Sequence, residues 1–203
     1  MSDGRLTYSR IGGDPVLDLL NTVAWRLDPQ RTVDDLPDYR SALRWAAQCD
    51  IISDAEAAEL QRQVAYEPSS HVAEQHAQLL DLRETIYAGL VDRSPEAVSR
   101  LTDAYVDSLR HARLQANGAT WAWTERSFGL STLRDRVLRK TLALITSPAI
   151  VQLNRCEDSA CGWVFLDTSR GGKRRWCSAT DCGNRNRARR YYARHRNDSR
   201  SEV

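Results

Sequence analysis

The sequence predicts a mainly α fold: a helical domain over residues 1–154 with one small β-hairpin, then a compact cysteine-rich module over residues 155–203. Three observations carry this reading. Apolar residues recur at helical spacing through most of the first 146 positions, behind recognisable N-terminal caps. One Asn117-Gly118 pair interrupts that periodicity between two short segments of strand character. Four of the five cysteines fall in the pattern Cys156-x4-Cys161-x15-Cys177-x4-Cys182.

Residues 1–11 are expected to form a flexible start. Asp14-Pro15 then opens a helix, with the acid as N-cap and proline at the first helical position. Val16, Leu17, Leu20, Val23, Ala24 and Leu27 would share its apolar face, and Asp18, Asn21 and Trp25 fall opposite. That polar side reads either as a solvated face or as a pocket wall. After a polar loop to Pro37, a second helix is expected over 38–50, carrying Tyr39, Leu43, Ala46 and Ala47, with Cys49 as a partly buried thiol near its end. Ser53-Asp54-Ala55-Glu56 is a capping box and starts a third helix that runs to about Ala65.

The longest helical pattern spans 71–92, with Leu79, Leu82, Ile86 and Leu90 inward, and Ser94-Pro95 opens another through about Leu109. The Asn-Gly hairpin places Trp121 and Trp123 on one face of a strand, either as core or as the wall of a ligand cavity. A further helix over 130–146 carries Leu133, Val137, Leu138, Leu142 and Ile145. Ser147-Pro148 starts a short helix that leads into Cys156 with no Gly/Ser linker, so the two modules should be mechanically coupled.

Two close cysteine pairs joined by an intervening segment are the spacing of a tetrahedral thiolate zinc site. Two disulfides or four unrelated thiols are the competing readings. They are disfavoured because the N-terminus has no apolar signal segment and Cys49 is left over. Cys156, Cys161, Cys177 and Cys182 would fill one structural Zn(2+) shell per chain and leave no open position for catalysis. Between the pairs, Gly162 to Leu166 and Lys173 to Trp176 flank Ser169-Arg170-Gly171-Gly172, which predicts a hairpin. A helix over 184–197, about 21 Å long, follows. Knuckle, hairpin, then a helix is the order of a treble-clef finger. On that helix Asn184, Ala188, Tyr191, Tyr192 and His195 share a side expected to pack on Trp163, Phe165 and Trp176, with Asn184 capping or bonding to the knuckle.

Charge is divided unevenly. Residues 155–203 hold 12 basic and 6 acidic side chains, whereas the whole chain is only +2. Four thiolates and one zinc would lower the module from +6 to +4 and leave it basic. A charge run is often only a solvated face, but on a metal-bound module of opposite sign to the rest of the chain it reads as a nucleic-acid footprint.

The run Cys182-Gly183-Asn184-Arg185, after Cys177 and with Cys156-x4-Cys161-Gly162-Trp163 before it, resembles the CGNR zinc finger. The segment Gly13-Asp14-Pro15-Val16-Leu17-Asp18-Leu19-Leu20-Asn21-Thr22-Val23 is similar to the start of ABATE, the domain that precedes the finger in that family of stress-induced transcription regulators. The resemblance implies a regulator that binds double-stranded DNA through the finger while its helical domain senses a small molecule or forms a homodimer. Lys173, Arg174, Arg175, Arg185, Arg187, Arg189, Arg190, Arg194 and Arg196 are the candidate DNA contacts. Asn21, Thr22 and Trp25, with Trp121 or Trp123 as a wall, are the candidate effector site.

An RNA-binding or ribosome-associated zinc protein is the alternative, since the same charge serves either nucleic acid. A nuclease fares badly, because His195 lies 13 residues past Cys182, about 20 Å along a helix. Nucleophile-elbow, phosphate-loop and dinucleotide motifs do not occur, so no enzymatic activity is expected. No apolar run approaches the ~20 residues of a membrane span, and a cytoplasmic protein is expected.

Overall fold

The first helix is the peg on which the molecule is assembled. In the computed structural model, which describes residues 8–198 and the side chains of the last helix through His195, α1 (Pro15–Leu20) buries Val16, Leu17, Asp18, Leu19 and Leu20. Asp14 caps it by accepting the Val16 N–H at 2.8 Å. The helix is shorter than the sequence periodicity implied. Asn21 closes it, the chain leaves as β1 (Val23–Ala24) to pair antiparallel with β2 (Val33–Asp34), and Trp25 turns the backbone at φ 54°. A left-handed conformation costs an L side chain about 1–2 kcal/mol, so neighbouring contacts must hold Trp25 there.

Helices α2 (Tyr39–Gln48), α3 (Asp54–Tyr66), α4 (Ser69–Leu90), α5 (Pro95–Ser108) and α6 (Ser131–Ile145) follow within two residues of the expected bounds. Local chemistry sets these ends. Asp38 with Ser41, and Ser53 with Glu56, form reciprocal capping boxes, and Ser94 accepts from Ala97 N–H ahead of Pro95. The 22-residue α4 is the central post, packed on α1, α2, α5 and α6. Trp45, Leu17, Leu43, Leu79 and Ile86 are buried in the shared core.

Strands β3 (Ala112–Asn117) and β4 (Thr120–Glu125) form the Asn-Gly hairpin, with Leu114 opposite Trp123 and Ala116 opposite Trp121. Glu125 anchors its base to Arg136 and Arg139 on α6, and Arg136 reaches on to Glu56 on α3. These tryptophans are not core: Trp121 is 72% and Trp123 44% exposed. A 3-10 turn over Pro148–Gln152 leads into β5 (Leu153–Arg155), which pairs antiparallel with β6 (Val164–Leu166), and α7 (Cys182–Asp198) ends the described chain.

This pairing corrects the expected hairpin. β6 pairs with the strand before the first cysteine, and residues 173–176 return as an irregular segment. Asp167 closes the intervening loop by accepting the Ser169 and Arg174 N–H groups. Val164 and Leu166 belong to the same core cluster as Leu17 and Leu20, so the cysteine module shares the helical domain's interior. Among the described residues no helix is long and apolar enough to cross a membrane.

Candidate metal centre and nucleic-acid interface

Two short turns bring four sulfurs together. The first, at the closed end of the β5–β6 pair, is held by Cys156 N–H on Trp163 O at 2.8 Å and by Cys161 N–H on Asp158 O at 3.0 Å. Gly162 follows at φ 74°, and a Cβ there would stand 2.9 Å from Arg26 Cβ, so only glycine lets the knuckle seat on the 25–27 loop. The second turn is closed by Asp181 N–H on Ser178 Oγ and Gly183 N–H on Ser178 O. It delivers Cys182 to the first residue of α7, where the helix N-terminus favours a thiolate. At Gly183 a Cβ would lie 3.2 Å from the Trp176 ring.

The sulfurs of Cys156, Cys161, Cys177 and Cys182 are buried and all lie within 4.8 Å of one another. Cys161 to Cys177 is 3.6 Å and Cys177 to Cys182 is 3.4 Å. Four ligands at about 2.3 Å around a tetrahedral ion would stand ~3.8 Å apart, so the donor set fits zinc. Hydrogen bonds from Cys161 and Cys177 hold the Cys156 thiol far below its usual range, while Cys161 and Cys177 are pushed up by giving those bonds. A cation is what allows all four to ionise together. The chain therefore carries one structural zinc, held by these cysteines, as expected.

Asp158, missed at the sequence level, ties the two turns together. Fully buried, its carboxylate accepts Ala160 N–H at 3.1 Å and Asn186 Nδ2 at 2.9 Å, and lies 3.4 Å from Arg185 and 3.5 Å from Arg189. Arg185 also donates to Cys182 Sγ at 2.8 Å and pairs with Asp181. Its guanidinium carbon sits 4.2 Å from the centroid of Trp25, which Arg31 approaches at 3.4 Å. The only early signal for Asp158 was an acid two residues after a ligand cysteine.

The nine expected nucleic-acid contacts divide by what they touch. Arg174 donates to Trp176 O, Cys177 O and Ile11 O and stacks 4.0 Å over Phe165, so it is a strut. Arg185 is another. Arg175 pairs with Glu157, Arg189 leans on Asp158, and Arg187 donates to Ala179 O and Asn184. The side chains of Lys173, Arg190 and Arg194 make no hydrogen bond or ion pair among the described residues; Lys173 bonds only through its backbone N–H, to Ser169 Oγ. Arg196 lies outside the described side chains. A groove of about 330 Å³ is lined by Lys173, Arg174, Arg175, Trp176 and Ala179.

The aromatic side of α7 does not face inward. Tyr191 is 52% and Tyr192 70% exposed, because Trp163 donates to Val23 O, Phe165 lies under Arg174 and Trp176 abuts Gly183. Asn186, not Asn184, bonds the knuckle; Asn184 is exposed and donates to Thr180 O.

The expected effector residues have other partners. Asn21 is buried and its amide bonds both backbone groups of Val164, Thr22 donates to Leu19 O and accepts from Arg83, and Trp25 stacks with two arginines. Trp121 and Trp123 stand exposed on the separate β3–β4 hairpin.

The comparisons bear on both modules. Residues 152–195 match the CGNR zinc finger, and residues 13–148 match ABATE, described as "Putative stress-induced transcription regulator". No curated protein matches the chain. A match over residues 13–148, followed by the four-cysteine centre in its expected finger, places this chain in the ABATE family with a C-terminal CGNR zinc finger.

Proposed function

We propose that this protein is a DNA-binding transcription regulator whose zinc holds a cationic surface in place. One observation carries the reading: the finger's described acids are consumed internally while the side chains of Lys173, Arg190 and Arg194 make no ion pair among the described residues. Glu157 pairs with Arg175, Asp158 and Asp181 with Arg185, and Asp167 accepts Ser169 and Arg174 N–H groups. Lys173 at the groove and Arg190 and Arg194 on α7 are then the surplus charge, with Arg187 beside them. A helix fits the major groove, arginine can read guanine there, and the 173–176 groove can seat a phosphate.

One finger offers a small footprint, so the reading includes a second contact or a twofold dimer. It assigns no reaction, because the four protein thiolates leave the ion no open position. Effector sensing by the helical domain belongs to the same reading.

The exposed pair Tyr191 and Tyr192, interleaved with Arg190 and Arg194, favours one alternative: RNA or another single strand whose bases stack on the rings. Anisotropy titrations of duplex DNA, structured RNA and single strands at one salt concentration separate the two. Tightest binding to duplex, with a selected sequence enriched from a random pool, supports the regulator. Preference for single-stranded RNA that is lost in Tyr191→Ala would replace it.

A further inference from the structure

A cleft of about 540 Å³ lies between α4, α5 and α6, on the other side of α4 from its finger contacts. That volume falls in the ~300–1,000 Å³ range of small-molecule sites. Its floor is apolar, with Leu82, Leu101 and Leu138 each from a different helix and each buried. Its charged rim is unequal. Arg100 bonds Asp81 at 2.7 Å, and Arg134 is committed at 3.0 Å to the buried Asp135 behind it. Asp107 lies 3.4 Å from the exposed Arg110, and Asp103 has no ion pair among the described residues. Asp103 and Asp107 stand one turn apart on α5, so both carboxylates face the same opening.

The cations of this cleft are thus spoken for, whereas Asp103 has no ion pair among the described residues and Asp107 is held only by the exposed Arg110 at 3.4 Å. We propose that it binds an organic cation with an apolar body, an aromatic or alkyl amine. The ammonium sits at Asp103 and Asp107, and the hydrocarbon covers Leu82, Leu101 and Leu138. This deepens the effector reading given above and rests on it for its consequence.

That consequence follows from α4. The helix that presents Leu82 and Asp81 to the cleft also presents Arg83, Glu84 and Tyr87 to the knuckle side. Tyr87 donates to Gly162 O at 2.9 Å, and Glu84 pairs with Arg26, whose N–H donates to Cys161 O. A guest that shifts α4 against α5 and α6 therefore shifts the support of the zinc knuckle.

The test is calorimetric titration of the full zinc-loaded chain with 2-phenylethylammonium chloride, neutral 2-phenylethanol and sodium phenylacetate. The ammonium compound should bind about tenfold tighter than the alcohol, and phenylacetate weakest, since each tenfold corresponds to about one charge-assisted contact. Asp103→Asn, at an exposed position, should weaken the amine at least about threefold, and Ala104→Trp, which fills the cleft from its rim, should abolish binding. Equal affinity for all three compounds, preference for the anion, or full binding by a folded Ala104→Trp would overturn the site. Duplex affinity measured with and without saturating amine should change about twofold or more in wild type and not in Ala104→Trp. An unchanged wild-type value would overturn the relay through α4. A chain that takes the amine but binds no duplex would leave the site standing and strike the proposed function instead.

Discussion

The side-chain amide of Asn21 pairs with both backbone polar groups of Val164, donating to its carbonyl at 2.9 Å and accepting its N–H at 2.8 Å across 143 residues. Both groups are buried, so truncation leaves them unsatisfied. Asn21→Ala should cost about 2–4 kcal/mol, seen as a lower urea midpoint for the whole chain. A change in stability below about 0.5 kcal/mol would show that this clamp does not matter.

Metal loss should reach beyond the finger. Val164 and Leu166 sit in the main core, and the 26–27 backbone donates to Cys161 and Ala160 carbonyls. Cys156→Ser or chelation should therefore lower the melting temperature of the helical domain too, where a self-contained finger would have unfolded alone. Elemental analysis should give one zinc per chain in wild type and in Cys49→Ser. A helical melting transition untouched by chelation would refute the coupling.

Charge removal should separate struts from contacts. Lys173→Ala, Arg190→Ala and Arg194→Ala should each reduce the slope of log affinity against log salt for duplex DNA by up to about 0.9, with unchanged melting temperature. Arg174→Ala and Arg185→Ala should instead lower the melting temperature and loosen zinc. Arg62, paired with Glu59 on the exposed face of α3, is the remote control. Equal salt slopes for wild type and all three contact variants would remove the assignment.

Asp18 sets a pH dependence. Burial raises its carboxyl to about 6, only partly offset by the Gly12 N–H at 2.8 Å and by Arg10, while Asp14 pushes the same way as burial. The folded state thus holds the proton longer than the unfolded one. Its contribution is present at low pH and is lost as pH rises from the ordinary carboxylate range through about 6. Asp18→Asn keeps the acceptor for Gly12 and should gain on wild type by on the order of 2 kcal/mol between pH 4.5 and pH 7.5. Parallel urea titrations at the two values check it; a constant difference would mean that Asp18 does not titrate on unfolding.

Local chemistry made much of this molecule readable in advance. Caps at Asp14, Ser53 and Ser94, the Asn-Gly turn and the cysteine spacing each act within a few residues, and each appears in the structure. What escaped depends on distant partners. Nothing near Asn21 announces Val164, and periodicity could not show that α1 stops where that clamp begins. The tyrosine stripe of α7 followed a helical period yet found no cover, because the aromatic residues assigned to it were already engaged. Asp158 gains its meaning only when Asn186 and Arg185 come round on the last helix.

The clamp between residues 12–27 and residues 160–166 has a consequence for synthesis. Gly12, Asn21, Val23, Arg26 and Leu27 all take partners in residues 160–166. On a ribosome these early residues emerge long before their partners exist. Part of the apolar face of α1 can settle on α4 and α6 as these emerge, but its seat against β6 stays open until the knuckle has been made. Closing that long loop therefore follows synthesis of the knuckle, and zinc bound there stabilises the closed state.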